Sequence, residues 1–361
     1  MSRAWNFSAG PAALPEDVLK RAQAELLEWD GAHASVMEIS HRGKAFMDMA
    51  ARVETDLRDL LGIPSNYKVL FLQGGATQHF AQIPMNLAAD GQRADYVVNG
   101  HWGEKAASEA ALYAAPHVAA SSKSEGYRSI PERAGWDLDP RSAYVHVTTN
   151  ETIHGVEMRE IPDVDDAPLV ADMSSDILSH PLDVSKFGLI YAGAQKNIGP
   201  SGLVVMIVRE DLLERHPRPL PRIFRYADHA AADSMLNTPN TWGWYLAGLT
   251  FQWLKQKGGL AEMARRNRVK SDALYAAIDG SGGYYTNRVA PAARSRMNVI
   301  FNLRDAALEP AFVAEAAEAG LLALKGHRAL GGIRASLYNA VPVEAARALC
   351  DFMTEFRRTH G

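Results

Sequence analysis

Lys196 lies in the stretch 191–202, Tyr-Ala-Gly-Ala-Gln-Lys-Asn-Ile-Gly-Pro-Ser-Gly. The apolar run 188–191 leads in, and the apolar run 203–208 leads out. The link between them is too short for a helical crossover, so the two runs are expected to pair antiparallel around a tight turn. Ala192, Gly193, Ala194, Gly199 and Gly202 keep the turn small enough for its backbone to approach something bulky. A lysine fixed between buried strands is costly while charged, unless it is neutralised or bonded. Condensation with an aldehyde cofactor does both, and buried lysines serve that chemistry. The same turn would also make an ordinary surface hairpin with a solvated lysine, where most lysines are found.

Four other places could cooperate with Lys196. Gly74-Gly75-Ala76-Thr77 closes a short apolar run and opens a helical pattern. Backbone N–H groups there, with the Thr77 hydroxyl and the helix dipole, could hold a phosphate. A Gly-Gly turn before a helix is also common without any ligand. Asp172 ends the apolar run 169–172, where a carboxylate can pair with a protonated pyridine nitrogen or simply cap a chain end. Trp102 follows another apolar run and offers a flat indole for stacking on a ring, or for plain packing. Thr152, in Asn150-Glu151-Thr152, could bond a phenolic oxygen or form a local turn. Together these make an ordered set of phosphate loop, stacking ring, hydroxyl, carboxylate and lysine. Pyridoxal phosphate needs those partners.

The elements that must position them follow from periodicity. Helix is expected from 15 to about 29 and from about 45 to 61, with residues 35–43 a loop between them. From 68 onward short apolar runs alternate with helical stretches: strands at 69–72, 94–98, 117–120, 144–148 and 169–172, a helix from about Thr77, and a loop at 99–103 before an Ala-rich helix. This pattern argues for an α/β fold with a mostly parallel sheet and helices on both faces. In such sheets ligands bind at the carboxyl ends of the strands, where all five candidates fall. After 208 the pattern shifts to a proline-marked connection, a long helix from about 242 to 257, and a compact α+β unit. We divide the chain into a large domain, 16–255, and a small one made of 1–15 and 256–361.

Composition excludes several classes. Of 361 residues, 47% are hydrophobic and 22% charged, with a net charge of -4 and the two signs mixed. Nothing points to a nucleic-acid or membrane partner. The dense basic run 265–270 lies in a helical pattern and reads as a solvated face. The single cysteine, Cys350, rules out an intrachain disulfide and suits a reducing compartment, and the absence of an apolar leader points to a cytoplasmic protein. Cys350 reads as helix packing rather than a nucleophile, which argues against desulfurase chemistry. The twelve histidines show no metal-ligand spacing, and Gly-x-Ser-x-Gly does not occur, so metal and serine-hydrolase sites are not competitive.

Six segments carry a resemblance that covers essentially the whole chain: 6–11, 40–43, 74–77, 191–202, 237–239 and 324–328. On these the chain resembles the class V aminotransferases, pyridoxal-phosphate enzymes of fold type I, and within them the branch that acts on O-phospho-L-serine. The resemblance implies a large domain with a mostly parallel seven-stranded sheet flanked by helices, and a small C-terminal α+β domain. It implies that Lys196 carries the cofactor and then acts as the base. Asp172 faces the pyridine nitrogen, Trp102 stacks, and Thr152 contacts the ring hydroxyl. Ala76, Thr77 and Gln195 hold the phosphate, with Asn237 and Thr238 reaching over from a second subunit of a homodimer. Arg334 resembles the clamp for the substrate α-carboxylate. His41, Arg42, His327 and Arg328 resemble the site for the substrate phosphate or distal carboxylate, which suits the bidentate geometry of guanidinium.

The implied reaction is O-phospho-L-serine plus 2-oxoglutarate giving 3-phosphooxypyruvate plus L-glutamate; the family also acts on 4-phosphooxy-L-threonine in pyridoxal phosphate synthesis. Two positions depart from the pattern. Thr77 stands where some members carry an arginine, so one cation is missing, and Ala9 replaces a serine, leaving only its backbone to matter. Two other readings remain: transamination of a non-phosphorylated acid such as alanine or glyoxylate, and a cofactor-binding scaffold without activity.

Overall fold

The computed structural model describes residues 3–215 and 217–361. Its centre is a seven-stranded sheet. From one edge the strands are Tyr67–Leu72, Val204–Arg209, Leu189–Gly193, Leu169–Asp172, Val145–Thr148, Arg93–Val98 and Ala115–Ser121. Only Val204–Arg209 runs antiparallel to its neighbours, because the chain returns to it directly from Leu189–Gly193 through the turn that holds Lys196. The Leu169–Asp172 and Leu189–Gly193 strands are buried along their whole length, as expected where helices cover both faces.

Alternation along the strands splits the packing into two layers. Phe71, Val97, Val147, Ala171 and Ile190 face the layer that contains the helices Lys44–Leu61 and Thr241–Gln256, through Phe46, Leu57 and Trp244. Leu70, Tyr96, Val170 and Tyr191 face the helices Gly75–Leu87 and His101–Ala110, through Phe80, Ile83 and Ala106. The Phe71 and Trp244 rings stack with centroids 4.5 Å apart. A separate core gathers Phe7 with Leu274, Phe301, Phe312, Leu349 and Phe356. Around it lie the three-stranded sheet of Tyr285–Thr286, Asn298–Leu303 and Ile333–Ser336, and the N-terminal strand Trp5–Asn6, parallel to Leu321–Leu322. A buried polar chain joins the two cores. Asn150 donates to Ser175 Oγ and Asn298 Oδ1, both at 2.8 Å, Asn298 donates to Tyr338 Oη at 3.1 Å, and Tyr338 donates to the Ala9 carbonyl at 2.9 Å. Each member left unpaired would cost about 1–3 kcal/mol, so the chain fixes how the N-terminal segment and the C-terminal unit sit on the sheet.

Several boundaries differ from the sequence reading. The first helix ends at Ala24, short of 29, because 25–34 folds into turns that put Asp30 and His33 at positive φ. The stretch 99–103 is not a loop: the helix His101–Ala110 begins inside it. The basic run 265–270 is not a wholly solvated face, since Asn267 and Lys270 are buried. Lys270 Nζ donates to the carbonyls of Leu337, Tyr338 and Val341 at 2.7–2.9 Å. Three acceptors stand in for water there, which lets a lysine replace an apolar residue on the buried side of its helix. Cys350 packs beside the C-terminal core on the helix Val343–His360, and burial raises its thiol to about 11, well away from thiolate chemistry.

Candidate active site

The turn after Leu189–Gly193 is held by its own backbone. Lys196 and Gly199 both donate to the Ala194 carbonyl at 2.7 Å, and Ala194 donates back to Leu203 at 2.9 Å. The N-terminal segment lies against it, with the Ala12 N–H on the Gln195 carbonyl at 2.9 Å. Asp172 ends the adjacent parallel strand, in register with Tyr191 on one side and Thr148 on the other. Burial pushes the Lys196 amine below its usual range, against the pull of Asp172, Glu151 and Asp176. Burial also pushes the Asp172 carboxyl up, against Lys196 and a Ser174 N–H that reaches Oδ1 at 2.9 Å. Desolvation thus drives both groups toward neutrality, and a lysine nearer its free base is a better nucleophile.

Trp102 is set by the residues 150–152. Glu151 is fully buried and its carboxylate accepts the N–H of Trp102 at 3.0 Å and of Gly103 at 2.8 Å, at the start of the helix His101–Ala110. Trp102 Nε1–H donates to Thr152 Oγ1 at 3.0 Å. One short segment therefore fixes both the helix end and the tilt of the indole. Burial raises Glu151 to about 7, offset in part by the two N–H groups. Glu151 was not singled out from sequence; an acid three residues past the buried strand run 145–148, with Gly100 as a candidate partner, was the available signal. Any side chain at Gly100 would place its Cβ 2.3 Å from Glu151 Cδ.

The helix Gly75–Leu87 follows the edge strand Tyr67–Leu72. Gly74 and Gly75 take φ of 92° and 70°, which only glycine adopts without strain, and no described side chain caps the helix. Its first N–H groups are left for an anion. Gln73 Nε2 donates to the Thr238 carbonyl at 3.0 Å, which sets 237–238 beside this turn.

A cavity of about 310 Å³ opens between these parts. Ala76, Thr77, Trp102, Thr152, Asp172, Gln195, Lys196, His327 and Arg334 all line it. Five predicted residues do not: His41, Arg42, Asn237, Thr238 and Arg328. Arg42, Asn237, Thr238 and Arg328 are exposed. Arg334 reaches the Thr152 carbonyl at 3.4 Å and has no carboxylate partner among the described residues. Burial lowers its guanidinium from its usual range, as it does the His327 imidazole, on which Arg334 also acts. Ala9 lines the wall and contributes its carbonyl, as the acceptor of Tyr338. Sequence reasoning also passed over Ser174, whose Oγ accepts the Gly193 N–H at 3.0 Å and so ties the Asp172 strand to the lysine strand.

The residues present fit a flat, phosphorylated pyridine aldehyde. They offer an amine of lowered basicity, a buried acid at the end of the adjacent strand, an indole at the wall, a hydroxyl, and an uncapped helix start, all on one cavity.

A sheet of this order, with a lysine on its antiparallel turn and an acid on the neighbouring strand, suits a lysine-linked aldehyde cofactor, and the family comparison names the class: the Aminotransferase class-V model matches residues 4–349. The chain belongs to the class V aminotransferases. Within the family it is 61% identical, over the full length of both chains, to a protein of Stenotrophomonas maltophilia (strain R551-3) named phosphoserine aminotransferase. It is 59% identical over the same span to one of the same name from Xanthomonas euvesicatoria pv. vesicatoria. Among solved structures, the phosphoserine aminotransferase of Bacillus circulans subsp. alkalophilus matches with a TM-score of 0.98 at 48% identity, covering 99% of each chain.

Proposed function

We propose that this chain is a phosphoserine aminotransferase: with pyridoxal 5'-phosphate it transfers the amino group of O-phospho-L-serine reversibly to 2-oxoglutarate, giving 3-phosphooxypyruvate and L-glutamate. One observation carries the reading. Lys196, Asp172 and Arg334, which has no carboxylate partner among the described residues, meet in one cavity, on a chain 61% identical end to end to a protein of that name.

When bound, pyridoxal phosphate supplies an electron sink for the charge left when the substrate loses its α-proton. Lys196 Nζ holds the cofactor and then accepts and returns that proton. Its depressed basicity brings it nearer the pH at which it works. Asp172 keeps the ring nitrogen protonated, Trp102 covers the ring, and Thr152 bonds its hydroxyl. Ala76, Thr77 and Gln195 take the cofactor phosphate. Arg334 grips the α-carboxylate in a bidentate fork. His41, Arg42, His327 and Arg328 take the substrate phosphate or the distal carboxylate of glutamate.

The placement of His41, Arg42, Asn237, Thr238 and Arg328 off the chain's own cavity supports a homodimer with shared sites, Asn237 and Thr238 serving the partner's cofactor. We place the reaction in the cytoplasm; among the described residues no helix is long and apolar enough to cross a membrane. We divide the chain at 16–255, with 1–15 joining 256–361; Phe7 in the C-terminal core supports the second part, while Leu260 and Met263 reach into the core of the large sheet.

A transamination assay of the purified enzyme tests the reading. Turnover of L-glutamate with 3-phosphooxypyruvate should exceed turnover of L-alanine with glyoxylate by at least about a hundredfold, the scale set by a lost pair of charged hydrogen bonds. Comparable rates for both pairs would overturn the phosphate specificity.

A further inference from the structure

A second cleft, of about 130 Å³, lies beside the reaction cavity and shares Ile153, His327 and Arg334 with it. One wall comes from 126–128 and 153–154, next to the large sheet. The other comes from 286–289, 300–302 and 326–334, next to the C-terminal core. Its lining carries three arginines, Arg128, Arg288 and Arg334, and two histidines, His154 and His327, and no carboxylate. Arg128 and Arg288 are exposed, and neither pairs with a carboxylate among the described residues. The Ala290 N–H donates to the Arg128 carbonyl at 2.8 Å, which holds the two arginine-bearing segments side by side. Glu309, behind the lining, is already engaged: it accepts from Asn302 Nδ2 and from the Gly332 N–H, each at 3.1 Å.

His154 adds an independent sign. It is 8% exposed, lines the cleft, and its buried Nδ1 has no hydrogen-bond partner. The Tyr127 ring meets it edge-on with centroids 4.8 Å apart, so it is fixed in place. That leaves a polar group unmet beside the cleft, at a cost of about 1–3 kcal/mol. Glu104 acts on His154 and Tyr127 from behind this wall, but among the lining residues the three arginines meet no carboxylate, and planar guanidinium suits phosphate or carboxylate oxygens.

We propose that this cleft is a second anion site, which takes a small dianion of the phosphate-monoester or dicarboxylate kind between Arg128 and Arg288, with His154 in its wall. Arg334 faces both spaces, so an anion in the cleft draws on the same charge that grips the substrate α-carboxylate. Occupancy therefore raises the KM for the amino acid while leaving kcat at saturating substrate unchanged.

The test compares the holoenzyme with an Arg128→Gln/Arg288→Gln variant of it. Crystals of both are soaked in selenate and the anion is located by anomalous scattering. Inorganic phosphate and 2-oxoglutarate are titrated into each by calorimetry. The site is supported by a selenate peak in the cleft of the unmodified enzyme alone, and by loss of one class of binding heat in the variant at unchanged kcat/KM. Loss of the phosphate heat assigns the cleft to phosphoryl groups, and loss of the 2-oxoglutarate heat assigns it to dicarboxylates. Selenate confined to the reaction cavity, with superimposable titrations, would overturn it. Neither readout depends on which amino acid is the substrate, so failure here leaves the proposed reaction standing.

Discussion

Glu151 Oε2 accepts the backbone N–H of Trp102 at 3.0 Å, and the next residue, Thr152, accepts the indole N–H of the same tryptophan at 3.0 Å. One acid thereby sets the plane against which a cofactor ring would lie. Glu151→Gln keeps an acceptor, whereas Glu151→Ala leaves two N–H groups buried without a partner. We expect Glu151→Ala to lose about 1–3 kcal/mol of stability and to weaken cofactor retention, with Glu151→Gln in between. Quenching of tryptophan fluorescence on adding pyridoxal phosphate to the apoenzyme reads the affinity. Equal affinity in all three proteins would contradict the assignment. Gly100→Ala should be as damaging as Glu151→Ala, because its Cβ would overlap the Glu151 carboxyl.

Buried acids give the apoenzyme a definite pH dependence. Burial raises Asp176 from 3.8 to about 8, with a Thr149 hydroxyl donating to Oδ1 at 2.6 Å as a partial offset. Glu151 rises from 4.5 to about 7. A carboxyl whose folded value lies above its unfolded one binds more protons when folded. Its contribution is therefore fully present below the unfolded value and is lost as pH rises through the folded one. Melting temperature should fall between about pH 4 and 8, with each group adding a slope of at most ~1.4 kcal/mol per unit. Asp176→Asn should flatten the upper part of that curve. An unchanged curve would show that Asp176 ionises freely.

Arg334 is expected to act on binding more than on turnover. Arg334→Gln removes the bidentate fork and should raise the KM of both amino-acid substrates by roughly tenfold to a hundredfold, the range of one or two charge-assisted hydrogen bonds. Arg334→Lys keeps the charge but not the fork and should recover only part of the loss. A change confined to kcat would move Arg334 from binding to chemistry.

The exposure of Arg42, away from its own chain's cavity, makes a prediction about assembly. Lys196→Ala and Arg42→Ala proteins should each be inactive or nearly so. If active sites are shared, mixing them under conditions that exchange subunits should restore activity, because one site of each hybrid then carries both residues intact. No recovery after verified exchange would place Arg42 and Lys196 in the same subunit's site.

Much of the fold was legible because its signals are local. The runs 69–72, 94–98 and 169–172 are apolar and short, and the direct return at Lys196 forced one antiparallel pair. Sites built from residues at strand ends were legible for the same reason. Glu151 was not, because its role exists only once the start of the helix His101–Ala110 is laid beside it from about fifty positions away. Nor was Lys270, because helical periodicity gave no hint that three carbonyls of 337–341 would gather over one position. The cleft of Arg128 and Arg288 was equally hidden, since its two walls come from distant parts of the chain.

Everything proposed for this site rests on Lys196 holding pyridoxal phosphate beside a pocket for a phosphorylated amino acid. The most direct measurement is the visible spectrum of the purified holoenzyme before and after O-phospho-L-serine is added alone, with L-serine as the control. The cofactor's visible band should disappear with O-phospho-L-serine and stay with L-serine, and Lys196→Ala should show no turnover. A visible band that O-phospho-L-serine leaves untouched would contradict the substrate assignment, and a protein that takes up no pyridoxal phosphate at all would contradict the role of Lys196.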